Sequence, residues 1–509
     1  MRIATPDFLL SNLSDFLAAQ MGLHFPRDRW GDLERGIAAA ASEFGMADVE
    51  SCIHWLVSTP LTRNQVEVLA SHLTVGETYF FREKRSFEAL ETHILPELLR
   101  AHGETGSRVR IWSAGCCTGE EPYSIAMLLD RLIPDAAKRN ITILATDINP
   151  RFLRKAAEGI YGEWSFRDIA PELREQHFSR TKDGRYEIAP RIRKLVTFAY
   201  LNLADDTYPA LENNTNAMDI IFCRNVTMYF EPGRAEKVVR SLHRALVEGG
   251  WLIVSPAEAS HALFPQFVTC NFPGAILYKK DSSRTREQPG TKRIPYTLLA
   301  EPSVRLQTPA ALQPEPAAPS LQKMIQFPRP EVAEQKAAAP GQTPYQEASE
   351  LYEQGRYAEA AGKIRGILSR DADDAKAMVL LARAYANQGE LAEALEWCNK
   401  AVAADKLNPG WRYLLATVLE EQGRAEEAFT ALKHALYLDP NCALAHFALG
   451  NLTRRQGKTR ESQRHYRNAL STLSGHRPED LLEDAAGITA GRLSEIIQST
   501  ISSEVANER

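Results

Sequence analysis

The 509-residue sequence contains no apolar run approaching the roughly 18 residues that a membrane-spanning helix needs, which excludes channels and inserted anchors of that kind. Its start, Met1 to Met21, lacks a basic segment ahead of an apolar one and carries Asp7 and Asp15 among leucines, so it does not read as a secretion signal. Cysteine is scarce. The seven present, an odd number without C-x-x-C spacing, exclude a disulfide framework or zinc ribbon and point to a reducing, cytoplasmic location. The twelve histidines form no H-E-x-x-H group and have no cysteine at zinc-binding spacing, so no metal site is expected. A positive excess is missing too: 60 Lys+Arg against 65 Asp+Glu leave a net charge of −5, which argues against a general nucleic-acid binder. What is there is ordinary globular material, 44% hydrophobic and 25% charged, long enough for about three domains.

Prolines partition the chain. Ten of the 28 fall between Asp281 and Pro340, among Ala, Gln, Ser and Glu that cannot bury enough surface to offset ordering entropy, so 281–342 reads as a flexible linker. Beyond it the chain repeats. Gly355, Gly389, Gly423 and Gly457 are 34 residues apart. Small residues precede each by seven positions (Ala348, Ala382, Ala416, Gly450) and follow each by five (Ala360, Ala394, Ala428, Ser462). Such a register lets paired antiparallel helices approach closely, with the glycine at the turn, and resembles the tetratricopeptide repeat over 343–475. The tail, 476–509, spaces Leu481, Leu482, Ala485, Ile488, Leu493, Ile496 and Ile497 as a helix that caps the array.

Ahead of the linker, residues 1–95 show only helical periodicity (Phe8, Leu9, Leu13, Phe16, Leu17, then Val66, Leu69, Ala70, Leu73). From 96 to 280, β-rich runs at Val109–Trp112, Ile141–Thr146, Asp219–Cys223 and Trp251–Ser255 alternate with helices. That order implies a Rossmann-like α/β domain, a parallel sheet with helices on both faces. The first run enters Ser113-Ala-Gly-Cys-Cys-Thr-Gly-Glu-Glu-Pro-Tyr-Ser124, where Gly115 and Gly119 leave room for a ligand against the backbone. The next ends at Asp147, 28 residues past Gly119, an acid suited to the two hydroxyls of a ribose. A dinucleotide favours a third glycine and a helix start free of negative charge. Here Glu120 and Glu121 occupy the helix start; they would repel a phosphate but suit the ammonium or sulfonium of S-adenosylmethionine (SAM).

Four ordered segments, Thr78-Tyr-Phe-Phe-Arg82, Gly115-Cys-Cys-Thr-Gly-Glu-Glu-Pro-Tyr-Ser124, Ala145-Thr-Asp-Ile148 and Phe222-Cys-Arg-Asn-Val226, resemble the CheR family of receptor glutamate O-methyltransferases. The likeness covers about residues 5–280, and the repeats resemble the C-terminal extension of a subgroup in non-flagellar chemosensory pathways. It implies a SAM-dependent enzyme, recruited from the cytoplasm to receptor arrays, that methylates glutamates on the cytoplasmic domain of methyl-accepting chemoreceptors. The repeats would then dock a further protein. By motif, Gly76, Thr78, Arg82, Gly115, Glu121, Asp147, Asn202, Leu203, Arg224 and Asn225 would bind the cofactor, with Glu121 at its methionine portion, Asp147 at the ribose, and Asn202 and Leu203 at the adenine. Arg82 and Tyr229 would serve the reacting carboxylate. Cys117 stands where the family commonly has Ser, and Thr227-Met228 replace a usually aliphatic pair.

Arg180, Lys182, Arg185, Arg191, Arg193 and Lys194 surround an Asp183-Gly184 turn, which predicts a basic β hairpin over about 178–200 that could steer toward acidic receptor helices or be a solvated face. Two other functions compete: methylation of another substrate, disfavoured because no Asn/Asp-Pro-Pro-Tyr/Phe box is present, and a non-catalytic SAM-sensing scaffold.

Overall fold

Four helices open the chain in a computed structural model that describes residues 5–105, 108–133, 141–205, 207–211, 213–281, 343–482 and 489–507. They are α1 (Asp7–Met21), α2 (Trp30–Glu43), α3 (Val49–Val57) and α4 (Arg63–Leu73). Leu9, Leu13, Leu17, Ile37, Ile53 and Leu69 turn inward and give this layer its own core. Phe8, expected on the same face, is 63% exposed. One residue is a rotation of about 100° on a helix, and Leu9 takes the inward position. Thr62 and Gln65 close a capping box at the start of α4.

Helices α5 (Lys84–Ala89) and α6 (Leu95–Thr105) lead into β1 (Val109–Ala114). The sheet continues with β2 (Ile141–Asp147), β6 (Val196–Tyr200), β7 (Met218–Phe222), β8 (Leu246–Ile253), β9 (Val268–Phe272) and β10 (Ala275–Lys279). Its order is β6-β2-β1-β7-β8-β10-β9. The first five strands are parallel, as the alternation implied, whereas β10 runs antiparallel to both β8 and β9. Buried Ile111, Ile143, Ile220 and Ile253 face one layer of helices, and Trp112, Ile221 and Leu252 face the other. Helices α7 (Glu120–Leu132), α8 (Pro150–Glu158), α9 (Pro171–His177), α10 (Pro190–Arg193) and α11 (Pro232–Ala245) complete this domain.

A second sheet holds β3 (Ile160–Tyr161), β4 (Phe178–Arg180) and β5 (Tyr186–Ile188), all antiparallel. Gly184 has φ +82° and donates its N–H to the Thr181 carbonyl at 3.0 Å, so the Asp183-Gly184 turn does join two strands. The hairpin is shorter than 178–200: residues 196–200 pair with β2 in the main sheet, because Val196 and Phe198 find their apolar neighbours there.

Eight helices follow in antiparallel pairs, Pro344–Glu353 with Tyr357–Leu368, Ala375–Gln388 with Leu391–Ala404, Pro409–Glu421 with Ala425–Leu438, and Ala443–Arg455 with Thr459–Leu473. The four periodic glycines all adopt left-handed φ at the turns within pairs. A last helix, Ala490–Asn507, buries Leu493 and Ile497 on the final pair, while Leu481 is 68% exposed. Ala485, Ile488 and the linker, 282–342, lie outside the described residues.

Candidate active site

The carboxyl ends of β6, β2, β1 and β7 open into a pocket. It lies where the chain order reverses, with β2 on one side of β1 and β7 on the other, the crevice in which doubly wound sheets hold ligands. The turn after β1 forms one wall. Gly115 has φ +81°, and a Cβ there would run into the Val226 side chain, so only glycine lets this turn meet the 225–228 loop.

Asp147 ends β2 and is 9% exposed. Its carboxylate accepts the backbone N–H of Cys117 and of Asn149, each at 2.8 Å. Burial nevertheless pushes its carboxyl up to about 6, because loss of solvent outweighs the backbone bonds that favour the anion.

The two glutamates at the start of α7 part ways. Glu121 lines the pocket, accepting Ser113 Oγ at 2.7 Å and Arg224 Nη1 at 3.1 Å. Burial raises its carboxyl, and Arg224 opposes the shift. Glu120 is turned inward, accepting Thr118 Oγ1 at 2.6 Å and Ser165 Oγ at 2.9 Å, so only one of the pair addresses a cofactor. The sequence-based repulsion therefore rests on Glu121 alone.

Arg224 is 6% exposed and lies just past β7. It reaches Glu83 at 2.9 Å as well as Glu121, and donates to the carbonyl of Arg82. Two carboxylates share one guanidinium, which leaves this corner net negative. Arg82 lines the pocket and is held by the Glu77 carbonyl, with its guanidinium 5.9 Å from the Tyr79 ring centre. Thr78, Asn225 and Tyr229 line it too. Asn225 has φ +58°, and Phe81, Glu83 and Cys117 are likewise left-handed. Four non-glycine residues in this sparsely populated region, at or beside one pocket, indicate backbone held against its preference by the surroundings.

Glu258 supplies part of that hold. It is 6% exposed and accepts the backbone N–H of Asn225 (2.6 Å) and Val226 (2.8 Å), with the hydroxyls of Thr227 (2.9 Å) and Ser255 (2.7 Å). Sequence reasoning missed it, although an acid soon after the fourth β run was the available signal. It also missed the first layer's part. Met21, His24, Phe25 and Arg29 line the pocket; the backbone N–H of His24 donates to the Tyr229 carbonyl at 2.8 Å, and Arg29 lies 5.5 Å from the Tyr229 ring centre.

Leu203 and Asn202 also line the pocket, but the Asn202 side chain is engaged elsewhere, donating to the Gln20 carbonyl (3.1 Å) and Asp205 (2.8 Å). Gly76 is not among the lining residues: it packs under Phe152, whose ring a Cβ would meet at 2.7 Å. Phe80 is fully buried against Tyr161, Phe166 and Phe178. Burial pushes the Cys116 and Cys117 thiols upward, away from reactive thiolate. The six basic residues around the hairpin are exposed. Among the described residues no helix is long and apolar enough to cross a membrane, and no group of three or more His, Cys, Asp or Glu is arranged to hold a metal ion.

Comparison with known proteins gives a consistent result. Residues 76–271 match the family described as CheR methyltransferase, SAM binding domain, and 345–409 and 412–442 match tetratricopeptide repeats. A probable chemotaxis protein methyltransferase of Rhizobium etli is 39% identical over 206 residues, 40% of this chain and 75% of that protein. Chemotaxis protein methyltransferase 1 of Pseudomonas aeruginosa is 36% identical over 220 residues, 42% of this chain and 77% of that protein. The probable biofilm formation methyltransferase WspC of Pseudomonas aeruginosa is 29% identical over 423 residues, 82% of this chain and 88% of that protein, a span that includes the repeats.

Proposed function

Since this chain belongs to the CheR family of SAM-dependent chemotaxis methyltransferases, we propose that it esterifies glutamate side chains on the cytoplasmic domain of chemoreceptors, close to receptor arrays. The observation that carries the reading is one pocket that combines a net-negative corner, Glu83–Arg224–Glu121, with Asp147 on one side and Arg82, Arg29 and Tyr229 on another. The residues fit the donor. The glycine turn gives backbone clearance, Glu121 suits an ammonium, Asp147 keeps acceptor capacity for ribose hydroxyls, and Leu203 is an apolar surface for a base. Asn202 would contribute its backbone, because its amide is engaged. When bound, SAM supplies an electrophilic methyl group on a positively charged sulfur.

A glutamate carboxylate, with an ordinary pKa near 4.3, is an anion at neutral pH and needs no base to remove a proton. The chain's task is alignment and exclusion of water. Arg82 can hold a carboxylate with its planar fork, and the carbonyl of Glu77 fixes one end of that fork. The Tyr229 hydroxyl is our candidate for a second donor to the same carboxylate. Arg224 orients: it ties Glu121, Glu83 and the Arg82 carbonyl together. Exposed basic residues of the hairpin would draw in an acidic receptor helix. Solvent-facing Leu407 and Tyr437, 76% and 86% exposed, offer the repeats a surface for a further protein.

The test is transfer of label from tritiated SAM to receptor-containing membranes, followed by mild base. Volatile methanol identifies a carboxyl ester. Base-stable label would identify another acceptor, and absence of incorporation would reduce the protein to a sensor.

A further inference from the structure

The repeats are not a free arm. Their first three pairs meet the base of the catalytic sheet, opposite the pocket. Arg244 at the end of α11 donates to the Glu353 carbonyl at 3.2 Å, and Gly389 faces Val247 and Ala217. At the start of β1, Arg110 is 6% exposed and pairs with Glu421, the last residue of a repeat helix, while Arg108 reaches the same carboxylate at 3.4 Å. Only 3% of the Glu421 side chain is exposed. A buried arginine without its anion is costly, so Glu421 is integral to this junction.

The same Arg110 guanidinium donates to the Asn214 carbonyl at 2.9 Å and to Asn216 Oδ1 at 3.4 Å. Both belong to the segment that joins β6 to β7. Its Leu211 is buried in the apolar cluster of the first repeats, with Val379, Leu380 and Trp411. Helix Ala490–Asn507, at the far end of the array, comes against β6. The array thus meets the segment through its first repeats and meets the strand ahead of it, β6, through its last helix. Its other end is the pocket wall: the Tyr208 hydroxyl donates to the Leu203 carbonyl at 2.9 Å, and Leu203 lines the pocket.

We propose that the repeat array, through Glu421 and the bed around Leu211, positions the 203–217 segment and so sets the affinity of the catalytic domain for its methyl donor. Glu421 and Leu211 are positioning residues; neither touches the donor or the acceptor. The inference rests on the reading that Leu203 forms part of the donor's adenine wall. A protein that pulled the repeats off the sheet base would lower donor affinity without approaching the pocket.

Calorimetric titration of the full-length protein with S-adenosylhomocysteine, the demethylated product, tests this. Glu421→Lys and Leu211→Ser should each weaken binding by roughly fivefold to a hundredfold, the range of ordinary coupling between sites. The double variant should lose little more than the worse single, since both act through one segment. Amide exchange at 203–217 should quicken in both, and the KM for SAM should rise while kcat at saturating donor holds. Affinities within twofold of the parent in both variants would overturn the proposal, as would a fall in kcat with an unchanged KM. Leu203→Ala separates the two levels. If it weakens binding and the distant variants do not, only the coupling is wrong; if it changes nothing, the wall assignment falls and the coupling with it.

Discussion

Donor affinity should bend with pH, and Asp147 sets the bend. Its carboxyl is buried and stands at about 6 rather than the ordinary 3.8. Both oxygens already accept a backbone N–H, at 2.8 Å each, so a proton has to compete with those bonds, and ribose hydroxyls need the lone pairs that remain. Binding therefore selects the anion. At pH 8 nearly every molecule is competent, whereas at pH 5 roughly one in eleven is, so the apparent Kd for S-adenosylhomocysteine should rise about tenfold. The sign for folding is opposite. A carboxyl whose folded pKa lies above its unfolded one destabilises the fold once ionised, here by about 3 kcal/mol, a cost present above pH 6 and relieved as pH falls toward 4. Acidification from pH 7 to pH 5 should weaken donor binding while this residue's contribution to thermal stability improves. Calorimetric titrations in steps of half a pH unit measure the first, and scanning calorimetry measures the second. A Kd that stays level down to pH 5 would refute the role given to Asp147. In Asp147→Asn the bend should vanish together with most of the affinity, because an amide cannot accept from both backbone donors and two hydroxyls.

Removing the guanidinium in Arg82→Ala should lower receptor methylation by roughly a hundredfold or more while S-adenosylhomocysteine binds within a few-fold, and normal methylation by that variant would remove Arg82 from the reaction. Glu258→Gln places an amide donor against backbone N–H groups; it should cost on the order of 3 kcal/mol in denaturant unfolding, and a stability equal to the parent's would show that the 225–228 loop is held by other means. Reversing charge on the hairpin with Arg180→Glu and Lys182→Glu should raise the KM for receptor, less so at high salt, and leave donor affinity alone; a salt-independent effect would argue against electrostatic steering.

Features tied to local backbone chemistry were legible in the sequence. The glycine turn after β1 could be read because Gly115 admits no side chain there, and the repeats because close helix packing demands small residues at a fixed interval. Asp147 was visible as the acid closing the next β run. What escaped depends on distant pairing. Residues 196–200 carry no pattern that distinguishes a hairpin arm from the sheet edge, and β9 and β10 are short strands whose order is decided by β8. Glu258 and Glu83 look like surface acids until the fold brings N–H groups and Arg224 to them. The loop 22–29 has no periodicity to mark it, yet it roofs the pocket by bridging Leu23 to Phe230.

That roof has a consequence for the order in which the molecule matures on the ribosome. One wall comes from residues near position 24, another from the turn at 115–117, and the loop at 225–228 is fastened by an acid at 258. A nascent chain halted at residue 250 would hold all the strands that frame the crevice and still lack its clasp. Capture of the methyl donor would then wait until the acid at 258 has emerged, near the midpoint of the 509-residue chain, and a donor analogue could serve as a chemical timer for completion of the catalytic domain ahead of the repeats.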